Sequence, residues 1–99
     1  MDFIALKEAF KQINHTRLIV FGSYARGEAR ADSDVDVLVV VADPMSFPER
    51  GRIASVLRRN LAEKKIDADI VIHSEAEVDR YKNLPGSIVR SALMEGIII

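Results

Sequence analysis

The run Val37-Leu38-Val39-Val40-Val41 leaves this chain few structural options. Five consecutive aliphatic residues of high β-propensity, closed off by Asp43-Pro44, read as a strand buried on both faces. The strand is expected over Asp34–Ala42, and two acids, Asp34 and Asp36, stand at its mouth. Side chains alternate along a strand, so both acids share a face, roughly 6.6 Å apart, while Val35 and Val37 face the core. A pair of acids beside a wall of valine is costly unless a cation or solvent compensates them. Carboxylates are hard oxygen ligands that suit Mg²⁺, which completes its shell with water and substrate phosphates.

The segment before the acids supplies a complement. Arg17–Phe21 (RLIVF) predicts a short strand that stops at Gly22-Ser23. A glycine there lets the backbone approach a ligand closely, and helical N–H groups beyond it favour phosphate. Ser23 adds a hydroxyl, Arg26 and Arg30 add positive charge, and Ser33 precedes the acids directly. A phosphate cradle followed by a metal platform is what phosphoryl or nucleotidyl transfer requires. Each motif alone is weak: D-x-D recurs by chance and Gly-Ser is ordinary turn chemistry. Their order on two neighbouring strands is the sharper signal.

The remaining elements follow from periodicity and caps. Asp2 caps a helix expected to reach about Asn14, with Phe3, Leu6, Phe10 and Ile13 on one stripe. A short helix is expected in Tyr24–Arg30. Ser46 with Glu49 forms a capping-box pattern for a helix to about Lys64, with Ile53, Val56, Leu57 and Leu61 inward. Lys65–Ile72 predicts a third strand. Ser74 with Glu77 caps a short helix, and Pro85–Gly96 predicts a last one, with Gly96 as its C′ terminator. Ile97–Ile99 reads as a small added strand or an apolar docking tail. The order defines one small α/β (α+β) domain over residues 1–99, with a mixed sheet of three to four strands packed with helices.

Composition removes several classes. The charged fraction is 29%, but the net charge is −1, so nucleic acid is not the expected direct partner. The absence of cysteine excludes disulfides and thiolate metal sites. The N-terminus lacks the pattern of a signal peptide, and no apolar run approaches the roughly 18–20 residues that span a bilayer. A cytoplasmic protein without a membrane partner is the expectation.

Gly22-Ser23, ten residues, then Asp34-Val35-Asp36 resembles the signature of the nucleotidyltransferase superfamily of DNA polymerase β. Gly22, Ser23, Ala25, Arg26, Gly27, Ser33, Asp34 and Asp36 match the pattern of its minimal nucleotidyltransferase (MNT) branch, and the likeness in length and element order spans nearly the whole chain. The resemblance implies phosphate binding at Gly22, Ser23, Arg26 and Ser33. It also implies a metal-binding catalytic triad with a third carboxylate on a neighbouring strand. Asp67 and Asp69 both qualify. Asp69 is preferred, because D-I-V-I matches the usual acid before an apolar triplet, and Asp67 is then a rim residue or alternate ligand. His15, His73, Arg17, Arg58 and Arg59 read as surface or structural residues, and Tyr24 as a packing residue. Tyr81 and the Ile97–Ile99 tail could instead belong to a protein interface.

The implied function is Mg²⁺-dependent transfer of AMP from ATP to a hydroxyl of a partner protein. No acceptor domain is expected within these 99 residues. MNT chains resembling this one pair with a helical HEPN-domain toxin, which implies such a partner and a homo- or hetero-oligomer. Two other readings stand beside it: a non-catalytic module that neutralises a HEPN partner by occlusion, and a small-molecule nucleotidyltransferase.

Overall fold

The computed structural model describes residues 2–99. Among these residues five α-helices, α1 (Phe3–Ala9), α2 (Ser23–Arg26), α3 (Phe47–Glu63), α4 (Glu75–Tyr81) and α5 (Ile88–Glu95), accompany four strands, with α4 and α5 consecutive before the last strand. These are β1 (Arg17–Phe21), β2 (Val35–Val41), β3 (Ala68–Ser74) and β4 (Ile97–Ile98). The sheet order is β3-β2-β1-β4. β1 runs antiparallel to β2 and β4, and β2 runs parallel to β3, so the sheet is mixed, as expected.

The aliphatic run occupies the centre of that sheet, buried on both faces. Val35, Val37, Val39 and Val41 join Leu18, Val20, Ile70 and Ile72 on one face, against Leu6 and Phe10 near α1 and Leu57 and Leu61 of α3. Leu38 and Val40 join Ile19 on the other, against Val78 of α4 and Val89 and Ala92 of α5. Burying each such side chain contributes about 1.5–3 kcal/mol. Asp36 lies on the second face, in the alternation that buries Leu38 and Val40.

Several boundaries depart from the sequence expectation. α1 stops at Ala9 and tightens into a 3₁₀ turn, Phe10–Gln12, instead of reaching Asn14. Phe10 is fully buried there, and the chain must turn at once into β1, where Thr16 donates from both N–H and Oγ1 to the Val40 carbonyl. α2 ends at Arg26, because Gly27 adopts the left-handed conformation. β2 begins at Val35, leaving Asp34 just outside. Val56 of α3 is exposed, and Ala54 takes the inward place expected of it.

β3 begins at Ala68, three residues later than expected, because Lys65 takes a positive φ of 62° and the amides of Lys64, Lys65 and Ile66 close on Leu61 and Ala62. α5 begins after Ser87, whose side chain accepts from Arg90 N–H. Gly96 is not left-handed: its φ is −74°, and it ends α5 by close packing instead, since a Cβ would collide with Ile19 and the Ala92 carbonyl. Ile97–Ile98 add an edge strand to β1, and Ile99 N–H donates to the Leu18 carbonyl.

The junction of β3 and α4 is locked by charge. Ser74 and Glu77 form the full reciprocal box, whereas Ser46 meets Glu49 only by accepting its N–H. Arg50 of α3 pairs with Glu77 at 2.8 Å and donates to the carbonyls of Met45 and Ile72. Burial pushes the Glu77 carboxyl up, but the Ser74 amide and the Arg50 guanidinium outweigh it and hold it at about 2, against an ordinary 4.5. A depressed carboxyl stabilises the fold above its unfolded value and loses that contribution as pH falls towards its folded one. Glu77→Gln is therefore expected to cost about 1–3 kcal/mol at pH 7. In thermal melts the gap to wild type should narrow below pH 4.5; a gap that persists unchanged to pH 2 would assign the loss to packing instead.

Candidate active site

β1 ends at Phe21 and passes into Gly22, whose φ of 73° and ψ of −148° suit glycine alone. The glycine is required twice over. A Cβ at this position would overlap Oδ2 of Asp36 and lie 3.1 Å from its Cγ. The Gly-Ser turn and the acid platform are thus in van der Waals contact, a juxtaposition made by the antiparallel pairing of Phe21 with Asp36. α2 follows, with Ala25 and Arg26 N–H donating back to the Gly22 carbonyl.

Parallel pairing then sets Asp69 directly opposite Asp36, one strand spacing away, about 4.8 Å between backbones. Asp34 precedes β2 by one residue and is exposed, as is Asp69, whereas Asp36 is half-buried. The Asp36 carboxyl is pushed above the usual range, first by burial, then by the charges of Asp69 and Asp34, with a smaller push from Glu95 and an opposing pull from Arg26. Asp67 is exposed and lies before β3, with its carbonyl accepting the Val35 N–H.

The cradle residues are placed unequally. Ser23 opens α2 beside the acids. Ser33 is engaged within the connecting loop: its Oγ accepts the Arg30 N–H at 2.8 Å, and its carbonyl accepts the Tyr24 hydroxyl at 3.3 Å. Arg26 pairs with Glu28 and also with Glu95 at 3.1 Å, and Glu95 Oε1 accepts the Gly22 N–H at 3.3 Å. Glu95 entered none of the sequence reasoning. A signal existed: an acid ending a helix, against the helix's negative end, needs another reason to be there.

Other residues lie away from the acids. Arg58 and Arg59 are exposed on α3. His73 is four residues along β3 from Asp69, within 3.4 Å of Glu77 and beside the Tyr81 ring. His15 lines a cleft of about 340 Å³ with Asp43 and Glu49, at the far end of β2.

Among the described residues, no three carboxylate or imidazole groups converge closely enough to hold a metal ion by themselves. What is present is a facing pair with a third acid nearby, and a carboxyl made more basic first by burial and then by its neighbours' charge. That donor set fits Mg²⁺ as a partial shell, with water and phosphate oxygens supplying the remaining positions. Among the described residues no helix is long and apolar enough to cross a membrane.

Comparison with known proteins shows the family and the fold. Residues 4–57 match the nucleotidyltransferase domain family, and the chain belongs to that family. A Methanocaldococcus jannaschii protein named "Putative protein adenylyltransferase" is 36% identical over 66 residues, 60% of this chain and 67% of its own length. A crystal structure of a toxin–antitoxin with AMP-PNP shares the fold at a TM-score of 0.68, with 20% identity over 99% of this chain and 72% of that one. A solved "putative minimal nucleotidyltransferase" aligns at a TM-score of 0.58 and 30% identity, over 95% of this chain and 85% of its own.

Proposed function

We propose that residues 1–99 act as one minimal nucleotidyltransferase domain that moves AMP from ATP to a hydroxyl of a partner protein, with a HEPN-type toxin as that partner. The observation that carries the reading is the contact between Gly22 and Asp36, which sets the phosphate turn against the acid platform. The name of the M. jannaschii relative and the toxin–antitoxin complex with AMP-PNP support the acceptor class. The exposure of Asp34 and Asp69 supports it as well, since an open platform takes its acceptor from outside the chain.

In this reading Gly22 and Ser23, with Arg26, bind the triphosphate, and Ser33 shapes the loop that carries Asp34. Asp34, Asp36 and Asp69 would hold Mg²⁺, which when bound neutralises charge on the phosphates and the leaving pyrophosphate. The acceptor oxygen attacks the α-phosphorus in line. The bond from that phosphorus to the bridging oxygen breaks, pyrophosphate departs, and a carboxylate of the Asp36–Asp69 pair takes the hydroxyl proton. The domain contributes mainly positioning and charge.

Incubation with Mg²⁺, ATP and the partner should add adenylyl groups to the partner, read by intact-mass spectrometry. The adduct should vanish in the Ser23→Ala/Asp36→Asn double variant. It should weaken more in Asp69→Asn than in Asp67→Asn; the reverse order would move the third ligand to Asp67. A partner silenced on binding with its mass unchanged would sink the enzyme reading in favour of occlusion.

A further inference from the structure

We infer that Glu95 is an internal competitor for the phosphate subsite: its carboxylate occupies the Gly22 amide and the Arg26 guanidinium in the free protein, and nucleotide phosphates must displace it to bind. The inference rests on the nucleotidyl-transfer reading above and identifies a residue that sets nucleotide affinity.

One atom carries the geometry. Glu95 Oε1 accepts from Gly22 N–H at 3.3 Å and from Arg26 Nη1 at 3.1 Å, across 73 and 69 residues of chain. Two donors proposed for phosphate therefore converge on a carboxylate oxygen. Glu95 does not serve its own helix. It is the last residue of α5, where the helix's negative end opposes an acid, and no basic residue stands in that turn. Its charge also adds to those of Asp69 and Asp34 against Asp36.

The surroundings permit the side chain to leave while the backbone stays. Gly96 packs against Ile19 and the Ala92 carbonyl without room for a Cβ, and Ile97–Ile98 pair with β1, so the end of α5 is fixed. The Glu95 side chain is 31% exposed and can swing outward. Arg26 keeps its Nε on Glu28 meanwhile, so the guanidinium stays oriented when Nη1 is released. A triphosphate offers more charge and more acceptor oxygens to the same two donors than one carboxylate does.

Calorimetric titration of a non-hydrolysable ATP analogue, with Mg²⁺ and separately with EDTA, tests this in wild type, Glu95→Gln and Glu95→Asp. Glu95→Gln, which keeps the shape but not the charge, should bind about 3- to 10-fold tighter in both conditions. Glu95→Asp, one methylene shorter, should also bind tighter by losing reach, and it tests the idea if Glu95→Gln melts early. Equal or weaker binding in EDTA overturns the inference, and weakening confined to Mg²⁺ would make Glu95 a metal ligand instead. If wild type and variants all fail to bind the analogue, the nucleotidyl-transfer reading falls and this inference with it.

Discussion

Asp36→Asn should lower AMP transfer by about 10²–10³-fold and at the same time raise the melting temperature of the metal-free protein. The two effects have one cause. Burial first, then the charges of Asp69 and Asp34, raise the Asp36 carboxyl above its ordinary range. A raised acid binds its proton more tightly in the folded state, so stability falls as pH rises from its unfolded value through its raised folded value and stays reduced above that. Asparagine keeps the shape and removes that penalty. The expected gain at pH 7 is about 0.5–1 kcal/mol, or roughly 2–6 °C in a domain of this size. Wild type and variant should converge at acid pH, where Asp36 is protonated. A melt that instead drops sharply in Asp36→Asn would mean that the carboxylate holds the fold together, and its catalytic assignment would be lost.

Gly22→Ala should be strongly damaging to both stability and transfer. The backbone conformation at Gly22 costs a non-glycine residue about 1–3 kcal/mol, and the new Cβ also meets Oδ2 of Asp36. A total loss of about 2–4 kcal/mol, roughly 10–20 °C in melting temperature, is expected, together with loss of transfer because the methyl wedges the turn away from the acids. The collision predicts a specific coupling. Asp36→Ala removes the obstructing carboxylate, so the double variant should be more stable than the sum of the two single changes allows. A double-mutant cycle measures this directly. Strict additivity would show that backbone strain alone accounts for the glycine.

The parts of the site that rest on local geometry were legible before any tertiary structure. Alternation along one strand predicts that Asp36 parts company with Val35 and Val37. The Ser74–Glu77 box is a four-residue pattern, and it forms completely. Length and order of the elements sufficed for the fold class, because the central aliphatic run admits one kind of surrounding.

Three features were decided only by the assembled fold. Whether Asp67 or Asp69 faces Asp36 depends on the register of β3 against β2; the two acids share a period-2 face, so periodicity could not separate them, and only the family resemblance of D-I-V-I favoured Asp69. The start of β3 depended on Lys65 adopting a left-handed conformation without being glycine, which the closure of Lys64–Ile66 on Leu61 and Ala62 supports. Gly96 and Glu95 acquire their roles through partners in β1 and at Gly22, the latter 73 residues away. Periodicity and capping act within a few residues, and the sequence alone determines them. Register and side-chain convergence depend on how separate elements pack, and here the sheet and α5 made that choice.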